Sequence, residues 1–360
     1  MPAAIDFFTS VEFAPRADRI LSVWSENFRE QVSFDLDEPT PKPRSHWSDY
    51  VRGVAITLEQ AGYRLRGAQL QIRGNVPIGA GLSSSAAIEV ATAAALLSHS
   101  GFNLEKVELA QLCQRAENQF VDTRCGIMDQ FISCHGEKGS ALLLDCRTLE
   151  YRPAPLPEDV RLVICNTMVK HELASGEYNR RRAECEEGAR LLAQQFEGVT
   201  ALRDVTRAQL ESSVNNLPEV IFRRCRHVIS ENERVLQAAA ALEQSDLIEF
   251  GRLMASSHQS LRDDYQVSCD ELDLMAELAQ ESPGVYGARM TGGGFGGCTV
   301  NLVSAGAVDE FKKRIAVNYQ KRTGITPEIY VCQTSDGVHE VASAVDKRDA
   351  FPDRNLSEAG

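Results

Sequence analysis

The chain has 360 residues, of which 43% are hydrophobic and 25% charged, and its formal net charge at pH 7 is −13. This length exceeds one ordinary hydrophobic core and predicts two domains of about 150–200 residues each. The acidic balance argues against broad binding to nucleic acid or membrane surfaces, and we find neither an apolar run of about 18 residues nor a signal-peptide pattern.

The first half of the chain alternates short strands with longer helices. Strands are predicted over Ile20–Trp24, Val32–Leu36, 69–74 and Ser140–Asp145. Helices are predicted over Trp47–Gly62, 84–98 and Leu104–Phe120. Ser45 precedes the first of these helices and is a candidate N-cap.

A proline-rich link at Pro153–Pro157 predicts the boundary between the two domains. Beyond it, strands are predicted over Val160–Asn166, Cys298–Val303 and Glu328–Cys332, and helices over Tyr178–Phe196 and 307–322, with helices dominating up to Gln280. Without a regular βαβ repeat, this mixture predicts an α+β fold. We therefore expect domains over 1–152 and 158–345, with a frayed polar tail over 346–360.

A glycine- and serine-rich loop at Pro77–Ala87 follows a predicted strand and opens a predicted helix. Gly79 and Gly81 lack a Cβ, so the backbone there can approach a bulky anion. Three serines then place hydroxyls and unpaired N–H groups at a helix N-terminus, where phosphate binds readily. The loop predicts a nucleotide-triphosphate cradle, although it lacks the lysine of the P-loop motif. The alternative is a glycine-rich turn before a serine-capped helix.

Two carboxylates are candidates for the chemistry of such a site. Glu117 lies near the end of a predicted helix, and Asp129 lies between Met128 and Gln130 in a segment predicted to be partly buried. A buried carboxylate needs a partner. Phosphoryl transfer offers Mg²⁺ and the attacking hydroxyl, whose proton an aspartate can accept. The alternative for Asp129 is a helix-start carboxylate that binds backbone N–H groups.

A second glycine-rich loop lies far along the chain, between Thr291 and Cys298. Its five glycines are Gly292, Gly293, Gly294, Gly296 and Gly297. This density predicts a backbone that passes very close to another group, and the alternative is a tight turn between strands. Two such loops and two candidate acids in one chain favour a kinase-like site.

The ten cysteines contain no Cys-x-x-Cys pair, and the seven histidines lack metal-ligand spacing. In a long chain without a signal peptide, they predict reduced thiols and no zinc centre. We expect a cytoplasmic protein, and a monomer.

The two glycine-rich loops together resemble a known superfamily. Pro-Ile-Gly-Ala-Gly-Leu-Ser-Ser-Ser-Ala (77–86) and Thr-Gly-Gly-Gly-Phe-Gly-Gly-Cys (291–298) resemble the second and third motifs of the GHMP small-molecule kinases. Three further segments resemble the galactokinase family within it: Cys125–Phe131, Leu173–Arg182 and Ser260–Ser268. The similarity runs from about residue 4 to about residue 337.

The resemblance implies a fold, a reaction and two cofactors. The N-terminal domain would resemble domain 2 of ribosomal protein S5, and the C-terminal domain would be ferredoxin-like. The reaction would be ATP-dependent phosphorylation of galactose at its anomeric 1-hydroxyl, with Mg²⁺. The ATP phosphates would be wrapped by Gly79, Ala80, Gly81, Leu82, Ser83, Ser84 and Ser85.

The resemblance also implies roles for individual side chains. Ser85 and Glu117 would hold Mg²⁺, and Asp129 would accept or orient the proton of the anomeric hydroxyl. Asp129, Gly126 and Tyr178 would contact the sugar. Trp47 matches a position near the adenine, and Gly292–Gly297 would shape the site from the second domain.

The sequence departs from the family pattern at two places. The first galactokinase motif, Pro-Gly-Arg-x-Asn-Leu-Ile-Gly-Glu-His-x-Asp-Tyr, has no counterpart, and Met1–Asp6 aligns with the segment after it. Losing two or three of its charged hydrogen bonds to sugar would cost about 3–9 kcal/mol. Losing its arginine would cost about 10³–10⁵ in rate. We therefore expect the true start to lie upstream. Asp122 replaces a glycine that follows Phe-Val in the family.

Several alternatives remain open from the sequence. The chain could be a non-catalytic galactose- and ATP-binding regulator, a kinase for a related sugar such as N-acetylgalactosamine or arabinose, or an inactive remnant. The presence of Ser85, Glu117 and Asp129 together favours the enzyme over the regulator.

Overall fold

The computed structural model describes residues 1–38, 42–123, 125–170 and 174–341. Its strands are β1 (Thr9–Pro15), β2 (Ile20–Ser25), β3 (Glu30–Asp35), β4 (Ala68–Gly74), β5 (Ser140–Leu144), β6 (Tyr151–Pro155), β7 (Val160–Lys170), β8 (Val285–Met290), β9 (Gly296–Ser304) and β10 (Glu328–Cys332). Its helices are α1 (Ser48–Gln60), α2 (Ser84–Ser100), α3 (Lys106–Ala116), α4 (Met128–His135), α5 (Ala174–Ala193), α6 (Arg207–Ser212), α7 (Glu219–Glu243), α8 (Leu247–Ser260), α9 (Asp270–Gln280) and α10 (Val308–Thr323). This mixture confirms the predicted α+β class.

The first sheet has the strand order β1-β4-β2-β3. Strand β4 runs antiparallel to β1 and parallel to β2. Along β4, Ala68, Leu70 and Ile72 are buried and alternate with more exposed residues, as expected of a strand with one face on a core. Residues of α1, α2, α3 and α4 complete that core. The loop between β4 and α2 is thus held between a buried strand and a buried helix.

The second sheet has the order β10-β7-β9-β8, and its neighbouring strands are antiparallel. Helices α9 and α10 cover it with Met275, Phe311 and Tyr319, all of which are buried. The buried Tyr319 hydroxyl donates to the Thr167 carbonyl oxygen at 3.0 Å. The second glycine-rich loop connects β8 to β9, so this core fixes both of its ends.

Two local features differ from the predictions. Pro153–Pro157 is not simply a link, because Tyr151–Pro155 forms β6, which pairs with β5 in a two-stranded sheet. Proline is tolerated there because one side of each strand in such a sheet is unpaired. Ser45 does not cap α1, since its φ is 57° and the helix begins after Trp47 without a side-chain cap. The Asp49 carboxylate instead accepts hydrogen bonds from backbone N–H groups upstream of the helix.

The described C-terminal residues return to the first core. Thr334 forms a β-bridge with Ile5, and the Val338 N–H donates to the Ser133 carbonyl oxygen at 2.8 Å. The predicted tail over 346–360 lies outside the described residues. Within the described part of the chain, every helix is too short or too polar to cross a membrane.

Candidate active site

The two glycine-rich loops, more than 200 residues apart in sequence, touch each other. A Cβ added at Gly292 would lie 3.3 Å from the Gly81 carbonyl oxygen, and one at Gly297 would lie 3.4 Å from the Ala80 carbonyl oxygen. Gly81 and Gly292 both have φ of +77°, in the left-handed region that favours glycine. The second loop is therefore both a turn between strands and a close-packing surface for the first.

The first loop leads directly into the N-terminus of α2. Ser83 occupies the N-cap with φ of 56°, and its side chain does not cap the helix. No acidic side chain lies in the first turn, where Ser84 and Ser85 stand. The N–H groups at this end of a 17-residue helix have no partner within the helix itself and are suited to an anion.

Asp129 lies in the first turn of α4 and is half-buried. Burial raises the pKa of its carboxyl group above the ordinary value, and a hydrogen bond with the Ser83 side chain opposes that rise. The Asp129 carboxylate is thus hydrogen-bonded to Ser83 of the first glycine-rich loop. This arrangement suits a group that exchanges a proton beside a bound anion.

Glu117 begins a π-helical turn, Glu117–Val121, that continues α3 where a single helix to Phe120 was predicted. Only 5% of the residue is exposed. Its Oε2 accepts a hydrogen bond from Gln130 Nε2 at 2.5 Å and one from Cys125 Sγ at 3.1 Å. Two donors therefore orient one oxygen of this carboxylate.

A second buried acid, Glu89 of α2, was missed by the sequence reasoning. Its Oε2 accepts a hydrogen bond at 3.0 Å from the same Gln130 Nε2 that serves Glu117. Burial, together with the nearby charge of Glu117, raises the pKa of Glu89 to about 9. The one available signal was a glutamate inside an otherwise alanine-rich, apolar helix.

A cavity of about 1960 Å³ opens between these groups. Its wall includes Gly81, Leu82, Ser83, Glu117, Gly126, Asp129, Gly292 and Gly293. The volume exceeds the roughly 300–1,000 Å³ of an ordinary small-molecule pocket, because the cavity also runs along the N-terminal residues and one side of α2. It is large enough for two ligands side by side.

Several predicted site residues, among them Trp47 and Ser85, do not line this cavity, and the side chain of one lies outside the described residues. Trp47 is not in the cavity wall; its ring stacks on Phe28 at 5.4 Å between centroids, and its Nε1 donates to Glu30 at 2.9 Å. The side chain of Tyr178 lies outside the described residues. Gly294 faces away from the first loop, since a Cβ there would lie 2.1 Å from the Val267 carbonyl oxygen.

Comparison with known proteins defines the class of the chain. Residues 49–137 match the family model "GHMP kinases N terminal domain", and residues 238–321 match "GHMP kinases C terminal". The fold resembles that of the Methanococcus jannaschii mevalonate kinase, with a TM-score of 0.63 at 16% identity over 93% of this chain and 90% of that one. These matches define a two-domain GHMP kinase, as the glycine-rich loops predicted.

Closer relatives narrow the class to a family. The chain is 48% identical to a galactokinase from Roseiflexus sp. (strain RS-1) and 50% identical to one from Chloroflexus aggregans, each over 94% of this chain and 87% and 86% of theirs. The crystal structure of Lactococcus lactis galactokinase complexed with galactose matches with a TM-score of 0.90 at 37% identity, over 93% of this chain and 87% of that one. The chain belongs to the galactokinase family.

Proposed function

We propose that the chain transfers the γ-phosphoryl group of ATP to the anomeric 1-hydroxyl of galactose. The observation that carries the proposal is the contact of the two glycine-rich loops at Gly81 and Gly292, beside Asp129 and the cavity. Such an arrangement offers an anion cradle and a carboxylate next to a space for an acceptor. That the sugar is galactose is inferred from the relatives, which are named galactokinases.

The loop from Gly79 to Ser85 is proposed to bind the phosphates. A helix N-terminus carries a partial positive charge, equivalent to roughly half an elementary charge, and its free N–H groups donate to anionic oxygens. This cradle explains how a chain with a net charge of −13 can bind ATP. The second glycine-rich loop closes the cradle from the other sheet.

Asp129 is proposed to accept the proton of the attacking hydroxyl. The sugar O1–H proton passes to the Asp129 carboxylate while O1 bonds to the γ-phosphorus and the bond from phosphorus to the ADP oxygen breaks. Because burial raises the pKa of Asp129, activity should fall as the solution is acidified and this carboxylate takes up a proton. The products are ADP and galactose 1-phosphate.

Ser85 and Glu117 are proposed to hold Mg²⁺. Among the described residues there is no group of three or more His, Cys, Asp or Glu that could bind a metal ion. Mg²⁺ does not require one, since it commonly uses one or two carboxylates together with water and substrate phosphates. Glu117 fits, because it lines the cavity while two donors orient its Oε2. When bound, Mg²⁺ would neutralise charge on the phosphates.

The remaining assignments rest on family resemblance. Gly126, which lines the cavity, and Tyr178 are proposed to contact the sugar, and Trp47 to lie near the adenine. We also propose a cytoplasmic location, which the ten free cysteines support. A monomeric state stays a prediction.

A coupled ADP-release assay with Mg²⁺-ATP, with and without galactose, tests the proposal. Asp129→Asn should reduce galactose-dependent turnover by about 10²–10⁴-fold, the range for loss of a general base. Asp309→Asn, an exposed aspartate in the first turn of α10, is the matched control and should be unaffected. Equal turnover in the two variants would contradict the role of Asp129. Faster turnover with N-acetylgalactosamine or arabinose would contradict galactose, and sugar binding without turnover in the folded chain would favour the regulator.

A further inference from the structure

Two family-like segments, Leu173–Arg182 and Ser260–Ser268, contain side chains that the proposed reaction does not use. We propose that Arg181 is a positioning residue that holds the second glycine-rich loop in place through the π-helical turn Leu261–Tyr265. The inference rests on the proposed function only for its kinetic consequence. Its structural consequence is independent of any ligand.

Arg181 is buried and binds the end of that turn. Its Nε donates to the Tyr265 carbonyl oxygen at 2.7 Å, and its Nη2 donates to the Gln266 carbonyl oxygen at 2.9 Å. Carbonyl groups at a helix end lack partners within the helix. Gln266 ends the turn with φ of 57°, in the left-handed region, so Arg181 binds the point where the helical conformation stops.

A second buried arginine holds the same turn. Arg224 Nε donates to the Glu184 carboxylate at 2.6 Å, its Nη1 to the Asp264 carbonyl oxygen at 2.5 Å and its Nη2 to Gln266 Oε1 at 2.9 Å. Arg181 Nη1 lies 3.1 Å from Glu177 and 3.7 Å from Glu184. Helices α5 and α7 thus place two guanidinium groups around one segment.

The held segment in turn contacts the second glycine-rich loop. The Phe295 N–H donates to the Val267 carbonyl oxygen at 2.7 Å. Gly294 packs so closely on that carbonyl that no Cβ could fit. Arg181 also reaches the loop directly, because its guanidinium lies 5.8 Å from the centroid of the Phe295 ring.

Movement of the second glycine-rich loop would displace the first loop, Gly79–Ser85, which is proposed to bind the phosphates. Gly292 lies against Gly81, and Gly297 lies against Ala80. Misplacement of positioned groups by about 1 Å can cost about 10²-fold in rate. If Arg181 only stabilised the helices around it, its replacement would not selectively change the mobility of the second glycine-rich loop or the binding of ATP.

The experiment compares Arg181→Gln with Arg182→Gln in the full chain. Arg182 is the matched control, because it follows Arg181 on α5 and pairs with Glu186 at 3.0 Å on the exposed surface. Hydrogen exchange of the peptide covering 290–298 should become about tenfold faster in Arg181→Gln and stay unchanged in Arg182→Gln. Arg181→Lys, which keeps the charge but cannot donate to both carbonyls in the same way, should fall between them.

Ligand measurements give the second readout. In Arg181→Gln, the KM for ATP and the Kd for a non-hydrolysable ATP analogue should rise by about fivefold or more, while the KM for galactose changes less than about twofold. If wild-type protein failed to bind the analogue, the proposed function would fail, and the exchange comparison would still decide the role of Arg181.

A second variant covers the possibility that Arg181→Gln does not fold. Gly294→Ala leaves the arginines in place and pushes on the Val267 carbonyl, so it should show the same faster exchange and weaker ATP binding. If folded Arg181→Gln protected the 290–298 peptide from hydrogen exchange as well as wild type does, the inference would be overturned. If only Gly294→Ala folds, the same result in that variant would overturn it.

Discussion

Two π-helical turns, one at the cavity and one next to the second glycine-rich loop, are stabilised by opposite chemistries. Glu117–Val121 begins with a buried glutamate that shares the amide of Gln130 with Glu89. Leu261–Tyr265 is surrounded by Arg181 and Arg224, which share Glu184. One network therefore has two acids around a neutral amide, and the other has two arginines around one acid.

The two networks differ in how they stabilise their excess charge. Glu89 can take up a proton, and its pKa of about 9 keeps it neutral near pH 7. A guanidinium group cannot lose its proton in a protein, so Arg181 and Arg224 direct their N–H groups to backbone carbonyls. The acidic network can thus lose charge by protonation, whereas the arginine network keeps its charge and serves as a fixed structural support.

The largest expected effect comes from removing an arginine that cannot be neutralised. Arg224→Leu removes three charged hydrogen bonds, to Glu184, the Asp264 carbonyl and Gln266, although Glu184 keeps Arg180 and Arg181. We therefore expect a loss of about 3–5 kcal/mol in the free energy of unfolding. Arg226→Leu, which removes a more exposed arginine paired with Asp264, should cost about 1 kcal/mol or less. Urea unfolding measures both, and equal losses would remove the distinction between buried and exposed pairs.

The acidic network should respond to pH through Glu89. Its pKa is about 9 in the folded state against an ordinary value of 4.5, so the folded state binds the proton more tightly. The stability this proton contributes is complete below pH 4.5 and is lost as pH rises towards 9, at a slope on the order of 1 kcal/mol per pH unit.

Glu89→Gln removes that titration and should flatten the pH dependence. Unfolding free energies at pH 5, 7 and 8.5 would show wild type losing stability relative to the variant as pH rises. Glu137→Gln is the control, because Glu137 is exposed and its substitution should leave the slope unchanged. A Glu89→Gln profile parallel to that of wild type would show that Glu89 is ionised in the folded state.

Loss of the shared amide should have an intermediate effect. Gln130→Leu removes the donor to both Glu89 and Glu117 while keeping a similar volume, and leaving such groups unsatisfied costs about 1–3 kcal/mol. Because Glu117 would lose its orientation, the Mg²⁺ concentration needed for half-maximal activity should also rise. If the variant is destabilised but needs no more Mg²⁺, Gln130 contributes to stability and does not position Glu117 for the metal ion.

The smallest effects should come from the residues that end the two turns. Asp122 and Gln266 both have left-handed φ, 63° and 57°. Asp122→Gly should relieve backbone strain and raise stability by about 0.5–1 kcal/mol. Gln266→Gly relieves similar strain but loses the side-chain bond to Arg224, so it should gain less or destabilise. Thermal unfolding of the pair compares them, and an equal gain would mean that the Arg224 bond contributes little.

Local patterns in the sequence were sufficient for the class of protein and for two acids that the structure places along one cavity. The glycine-rich loops, Glu117 and Asp129 stand out because backbone freedom, helix starts and isolated acids in apolar surroundings are readable from neighbouring residues. The link at Pro153–Pro157 and the Ser45 cap were predicted wrongly, since pairing across a sheet and backbone hydrogen bonds around a helix start can override local preference.

The tertiary structure alone decided which distant groups meet. Three contacts join residues that are far apart in sequence. Gly81 contacts Gly292, Gln130 donates to both Glu89 and Glu117, and Arg181 donates to the Tyr265 carbonyl oxygen. Such contacts depend on how sheets and helices pack, and a sequence pattern limited to neighbouring residues carries no information about that packing. Burial then sets the electrostatics, because the charge state of Glu89 follows from its surroundings and not from its residue type.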